Sequence, residues 1–274
     1  MSEIINLIPQ NPDVHVYHEA LEIVKNKISQ DFSFIIQTWN GSIMTETKHK
    51  KVLVLTSDEA HQTPKHINYP DVAHVFKQYA PMSNMRDYTT VKNVDRVTPI
   101  PLCHLKGVKN LGVPIPERQY DWCWMGQFDP YQRVDFKMAI DALAHLNETK
   151  YRLMWYDGWN NGVHVDEYNW TINNTKIIFA PTGSASLETF RFYEGMMSGC
   201  MVISIKQPNV SFYDKAPYIK VREWNEILPA VTNILNDLSV IEKYSSEAQD
   251  WYNKHCSPEG LAEYMMKALE NIDV

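Results

Sequence analysis

Apolar positions along this chain switch repeatedly between two spacings. Val14–Ser29 carries apolar residues at helical intervals, whereas Phe32–Gln37 and Lys51–Thr56 are compact β-rich runs of strand length. Val72–Tyr79 fits strand or helix, because its alternation is imperfect, and Arg96–Pro101 predicts a further strand. Beyond it come a strand at Asp121–Met125, a helix near Val134–Leu146, a strand at Tyr151–Tyr156 and a short helix at Val165–Asn173. Lys176–Ala180 predicts a strand, Leu187–Ser198 a helix with Phe190, Tyr193, Met196 and Met197 on its apolar face, and Cys200–Ile205 a buried strand after Gly199. Tyr218–Val221 is one more strand, and Trp224–Leu238, Val240–His255 and Pro258–Ile272 read as helices, Pro258 suiting a first helical turn.

Strands alternating with helices predict an α/β fold of parallel sheets with helices on their faces. Gly112–Arg118, with Pro114 and Pro116 interrupting regular structure, is the predicted boundary. It divides the chain into Rossmann-like domains over 1–118 and 119–274, expected to face a central cleft. In open α/β sheets ligands sit at the carboxyl ends of the strands.

Composition narrows the class. The 274 residues are 44% hydrophobic, enough for real cores. No stretch approaches the roughly 18 apolar residues of a membrane span, and Met1–Pro12 does not read as a signal peptide. Cys103, Cys123, Cys200 and Cys256 are widely spread and lack metal-ligand spacing, which predicts reduced thiols and a cytoplasmic location, in a bacterium or in a host cell if phage-encoded. The net charge of −7 is uneven: residues 1–118 hold 13 basic against 12 acidic side chains, and 119–274 hold 13 against 21. The first part therefore tolerates an acidic partner better than the second.

Candidate chemistry follows the predicted strands. After Lys176–Ala180, the small-residue loop with Gly183, Ser184 and Ser186 opens onto a helix, a setting in which backbone N–H groups meet an anion. Arg191 and Glu194 lie three apart on that helix; a guanidinium suits a phosphate and a carboxylate suits a sugar diol. Gly126 and Gln127, with Arg133 beyond, follow the strand ending at Met125. Gly126 allows close approach to a phosphate, though it also suits a simple turn. Asp58 and Glu59 close the Lys51–Thr56 run and are candidates for a general base, with helix capping by Ser57 or Asp58 as the competing role. His61 and His66 follow. Tyr156-Asp157-Gly158-Trp159-Asn160 offers rings for a nucleobase or forms a surface turn. No Asp-x-Asp occurs, so a donor diphosphate would be neutralised without a metal, by Arg133, Arg191 and loop amides.

These clusters together resemble the exostosin-like glycosyltransferases of the GT-B fold. Thr189-Phe190-Arg191-Phe192-Tyr193-Glu194-Gly195 followed by Gly199-Cys200-Met201-Val202-Ile203 is similar to that family's Ser-Phe-Arg-apolar-Tyr-Glu-Ala helix and Gly-Cys-apolar-Pro-Val strand. Phe179–Gly183, Leu55–Glu59, Pro99–Leu102 and Met125-Gly126-Gln127 with Arg133 are similar to further elements in the family's order, covering roughly residues 50–225. The resemblance implies that Arg191 and Arg133 contact the donor diphosphate and Glu194 the ribose hydroxyls. It further implies that Gly183, Ser184 and Ser186 line the phosphate loop, and that C-terminal helices pack back across the cleft. Thr182 stands where the family has Arg, and Cys103 where glycine is usual.

The expected activity is transfer of a sugar from a nucleotide-diphosphate donor, UDP-linked by preference, to an acceptor hydroxyl, with no cofactor beyond the donor as co-substrate. The acceptor is a glycan or a hydroxymethylated base in phage DNA, whose phosphates Lys48, Lys50, Lys51, Lys65, Lys106 and Lys109 could meet, with solvated surface lysines as the competing and more common role for each. A non-catalytic sugar-nucleotide-binding module would keep the Arg191–Glu194 pocket but need no acid at 58–59. There is no Gly-x-Gly-x-x-Gly and no P-loop.

Overall fold

A computed structural model describes the whole chain except residues 42–45, 58–64, 80–95, 130–132, 146–148, 159–160, 184–185, 271 and 273–274. The described residues form two compact units. The first comprises 1–106, 208–214 and 253–274, the second 107–207 and 215–252.

The first unit is built on a five-stranded sheet in the order β1 (Glu3–Asn6), β2 (Ser33–Thr38), β3 (Lys51–Thr56), β4 (Val72–Lys77), β5 (Val97–Pro99). Every pairing is parallel. Parallel strands covered on both faces read as continuous apolar runs, which is the form of β2 and β3. The ambiguity at Val72–Tyr79 resolves as strand. All six residues of β4 are buried, and the polar residues that spoil its alternation are satisfied. His74 Nε2 lies 2.9 Å from Thr98 Oγ1, and the Lys77 ammonium donates to the carbonyls of Gln78 and Tyr79 at 3.1 and 3.4 Å. β1 has no sequence counterpart above: it is four residues long, only partly buried and at the sheet edge.

Helix α1 (His15–Lys27) connects β1 to β2 and packs against the last helix, α7 (Pro258–Leu269). Ser257 caps α7 by accepting from the Gly260 N–H at 3.1 Å, and Pro258 occupies its first turn. Gly260 is required sterically, since a Cβ there would come within 2.3 Å of the Lys254 carbonyl oxygen. Tyr264 donates to the Pro99 carbonyl at 3.0 Å and ties α7 to the end of β5.

The second unit holds β6 (Tyr120–Gln127), β7 (Tyr151–Tyr156), β8 (Thr175–Ala180), β9 (Met201–Ser204) and β10 (Ile219–Lys220), ordered β10-β9-β8-β6-β7 and again all parallel. Its helices are α2 (Val134–Ala144), α3 (Val165–Asn173), α4 (Phe190–Met197), α5 (Ile227–Leu235) and most of α6 (Leu238–His255). Trp122, Trp124, Phe136 and Phe179 are fully buried at its centre, so these aromatics form core rather than surface. The proline-containing stretch before β6 packs onto this unit. Asn169 and Asn173 accept from the N–H groups of Lys109 and Leu111 at 3.1 and 2.7 Å. The buried Arg118 donates to the Thr175 and Ser198 carbonyls, each at 2.7 Å. The passage between units accordingly falls between Lys106 and Gly107, ahead of the prolines. All four cysteines are free and buried. Among the described residues no helix is long and apolar enough to cross a membrane.

Candidate active site

In the second sheet the chain enters at β6, crosses to β7 on one side and to β8 on the other. Crossovers that depart in opposite directions open a crevice beyond the carboxyl ends of β6 and β8, the switch point where open α/β sheets bind ligands. The residues at that crevice are Met125, Gly126 and Gln127 from β6, and Pro181, Thr182 and Gly183 after β8.

Arg133, at the N-cap of α2 and 9% exposed, joins both sides of the crevice. Its Nε and Nη2 donate to the Thr182 carbonyl at 3.1 and 2.9 Å, and its Nη1 donates to the Gln127 carbonyl at 2.9 Å. Arg191, in the first turn of α4, donates from Nε and Nη2 to the Met125 carbonyl at 3.0 and 2.6 Å. Its guanidinium lies 4.4 Å from the Trp124 ring centroid, in cation–π contact, and Arg133 lies 5.6 Å from the same ring. Gly126 makes this possible: a Cβ there would sit 2.6 Å from Arg191 Nη2 and 2.7 Å from Trp124 Cζ2. The glycine is thus kept by close approach, not by an unusual φ. Among the described residues no carboxylate lies within salt-bridge distance of Arg191.

Glu194, one turn further along α4, is 2% exposed, and Tyr168 of α3 donates to its Oε2 at 2.6 Å. Burial, then the negative charge of Glu194, holds the Tyr168 phenol well above its ordinary pKa, so the phenol remains a donor. The loop after β8 is largely self-bonded. Gly183 N–H donates to the Ser186 carbonyl at 2.8 Å, and Ser186 Oγ accepts from Glu188 N–H at 3.0 Å. Those two groups therefore shape the loop, while Ser184 lies outside the described residues. The loop extends to Thr189, so α4 begins at Phe190 instead of Leu187. Thr189 is extended at the N-cap of α4, makes no capping bond, and its buried Oγ1 has no hydrogen-bond partner among the described residues. A hydroxyl and open N–H groups at one helix start suit an anion.

Asp58, Glu59 and His61 lie outside the described residues. His66 is a structural bridge, its Nε2 2.7 Å from the Gly41 carbonyl oxygen. In the Tyr156–Asn160 cluster, Gly158 has φ +83° and forms a turn after β7; Trp159 and Asn160 lie outside the described residues.

Sequence reasoning missed four residues. Tyr168 reads in sequence only as part of a helix, and Thr189 only as part of a helix and of the family-like motif. His15 and His104 lie at the carboxyl edge of the first sheet, where strain collects. Ser57, Tyr79 and Cys103, the described non-glycine residues with positive φ, stand just past β3, β4 and β5 with φ 64°, 57° and 59°. The rings of His15 and His104 meet edge to face, with Nε2 atoms 3.1 Å apart. His15 Nδ1 lies 3.1 Å from the Pro12 carbonyl, which only accepts, so this nitrogen carries the hydrogen. In the neutral pair His15 Nε2 then accepts from His104 Nε2–H. Burial lowers both pKa values, that of His104 to about 4, and the pair is neutral at pH 7. A helix-starting histidine preceded by a strand was the available signal, but it depended on recognising β1.

Two parallel sheets with flanking helices define the mixed α/β fold of GT-B glycosyltransferases. Among solved structures, the chain is similar to HepE of Anabaena in complex with UDP, at 11% identity and TM-score 0.55, covering 92% of this chain and 81% of that one. It is similar to sucrose-phosphate synthase of Thermosynechococcus elongatus at 12% identity and TM-score 0.55, covering 93% and 76%. An α-glucosyltransferase in complex with UDP-glucose and DNA containing an abasic site matches at 8% identity and TM-score 0.52, covering 93% and 84%. No family model matches the chain, and no curated protein does.

Proposed function

We propose that this protein is a metal-independent glycosyltransferase that takes its sugar from a nucleoside-diphosphate donor, UDP-linked by preference, in keeping with the exostosin-like motif order. The observation that carries the reading is the switch-point constellation. Arg133 bridges the Gln127 and Thr182 carbonyls, and Arg191 lies over Gly126 with no carboxylate in salt-bridge contact among the described residues. A donor diphosphate entering here meets Arg191, the Thr189 hydroxyl and the N-terminal amides of α4. Arg133 holds the two loops at the right separation. Glu194, aimed by Tyr168, takes the ribose hydroxyls.

In transfer, the acceptor oxygen bonds to the anomeric carbon, the bond from that carbon to the diphosphate oxygen breaks, and the nucleoside diphosphate leaves with the electron pair. Positive charge preorganised at the crevice stabilises the leaving group as its charge grows. The hydroxyl proton passes to a general base. Asp58 and Glu59 are the carboxylates the sequence offers for that role.

The acceptor is either a glycan hydroxyl or a hydroxymethylated base in DNA. The second is favoured by a similar structure whose complex includes both UDP-glucose and DNA. Titrating UDP, UDP-glucose and other nucleotide-sugars by thermal shift, with and without EDTA, tests donor class, since a ligand of the native state raises Tm. Loss of the UDP response in Arg191→Met is expected, and an unchanged response overturns the site. Transfer to hydroxymethylated and unmodified duplexes then tests the acceptor. Donor binding without transfer to any acceptor, unchanged by Asp58→Asn and Glu59→Gln, identifies a binding module instead.

A further inference from the structure

A cavity of about 510 Å³ lies in the first unit, lined among others by Lys50, His74, Arg96, Thr98, Lys267 and Ile272. Lys50 immediately precedes β3, His74 is near the start of β4, and Arg96 immediately precedes β5. The cavity therefore opens at the amino-terminal edge of the first sheet, away from the strained carboxyl edge that carries Ser57, Cys103 and the histidine pair. Its place in the fold separates it from the reacting end of that sheet.

The charge of this cavity is one-sided. Among the described residues that line it none is acidic, whereas four are lysine, arginine or histidine. Arg96 is the most informative of them. It donates from Nη1 to the Val72 carbonyl and from Nη2 to the Ile67 carbonyl, each at 2.7 Å. Backbone carbonyls fix the guanidinium in one orientation without neutralising it. Lys267, exposed in the last turn of α7, forms no salt bridge among the described residues. A nearby contrast shows what neutralisation looks like in this unit: Lys51 meets Asp71 at 2.6 Å with its ammonium largely buried. A fixed guanidinium, an exposed ammonium and the Thr98 hydroxyl, which His74 Nε2 approaches to 2.9 Å, around one concavity form a recognition set for phosphate oxygens. The volume falls in the range of small-molecule pockets, enough for a nucleotide-sized ester.

We propose that this cavity is a second anion site, which binds the phosphate groups of a phosphorylated ligand at the amino-terminal edge of the first sheet. The site does not depend on the donor reading of the second unit. Two sources share its chemistry: a small phosphate ester, or the phosphodiester backbone of a polynucleotide.

The test is calorimetric titration of the full chain with inorganic pyrophosphate at low salt, in the wild type, Lys267→Glu, Arg96→Gln and Arg191→Met. Lys267 is exposed, so its replacement leaves the fold intact, and it remains informative should Arg96→Gln unfold the β4–β5 end of the sheet. Lys267→Glu is expected to weaken one class of pyrophosphate site roughly tenfold or more, the factor that accompanies loss of a charge-assisted contact. Arg191→Met is expected to leave that class unchanged. Competition by a short duplex at equal phosphate concentration assigns the source to a polynucleotide, and competition by mononucleotides alone assigns it to a small ester. Absence of pyrophosphate binding in the wild type overturns the proposal, as does binding that Lys267→Glu leaves untouched.

Discussion

Replacing Tyr168 with phenylalanine removes one oxygen and leaves every ring contact in place. That oxygen is the donor in a 2.6 Å hydrogen bond to Glu194 Oε2, on a side chain only 2% exposed. A hydrogen bond to a charged group contributes about 1.5–3 kcal/mol, and solvent has little access to replace this one, so a loss of about 2–3 kcal/mol is expected. For a unit of this size each kcal/mol moves Tm by roughly 2–4 °C, giving a fall of roughly 4–12 °C. The loosened carboxylate is also expected to hold a ribose less well. UDP should bind about tenfold more weakly, about 1.4 kcal/mol, while 2′-deoxy-UDP, which lacks one hydroxyl of the diol, changes little. Glu194→Gln keeps an oxygen for Tyr168 and removes the charge, so it should lose UDP affinity with a smaller stability change. Differential scanning fluorimetry and calorimetric titration read the two effects separately. A Tyr168→Phe protein that loses stability but keeps the wild-type ratio of UDP to 2′-deoxy-UDP affinity would reduce Glu194 to a structural acid. One that loses neither would show that the hydrogen bond contributes nothing.

Three other perturbations have defined outcomes. Gly126→Ala places a Cβ 2.6 Å from Arg191 Nη2 and 2.7 Å from Trp124 Cζ2, so the guanidinium and the indole must shift; a stability loss of roughly 1–3 kcal/mol and weakened donor binding should appear together in melting and titration curves. Arg133→Met orphans the Gln127 and Thr182 carbonyls and unties the two crevice loops, which should cost about 1–3 kcal/mol and lower donor affinity without creating a metal requirement, checked by titration in EDTA. The His104 pKa lies below its unfolded value, so in the intervening range the unfolded chain binds more protons and stability rises with pH. The contribution is fully present above the unfolded value near 6.5 and is lost as pH falls towards about 4, up to about 3 kcal/mol in all, so denaturant melts of His104→Gln should show a flatter profile across that window.

What the sequence disclosed, and what it withheld, follows from how locally each feature is encoded. β3, β7 and α3 appear at the predicted bounds, because continuous apolar runs and helical spacing are local signals. β4 could not be told from a helix because His74 and Lys77 interrupt its pattern. Both are buried only because Thr98 and the carbonyls of Gln78 and Tyr79 receive them, partners that the fold supplies. β1 is too short and too exposed to announce itself, and with it went the reading of His15 as the first residue of a helix at a sheet edge. The switch-point residues show the same division. Gly126, Arg133, Arg191 and Glu194 were legible as residue types following strands, but their present bonding was not. Both guanidiniums rest on backbone carbonyls, and the carboxylate is held by a tyrosine 26 positions earlier on another helix. Tyr168 carries no local signature of a site, since only the packing of α3 beside α4 brings its hydroxyl to Glu194. A motif thus names the charges, and the tertiary structure decides which of them are already aimed.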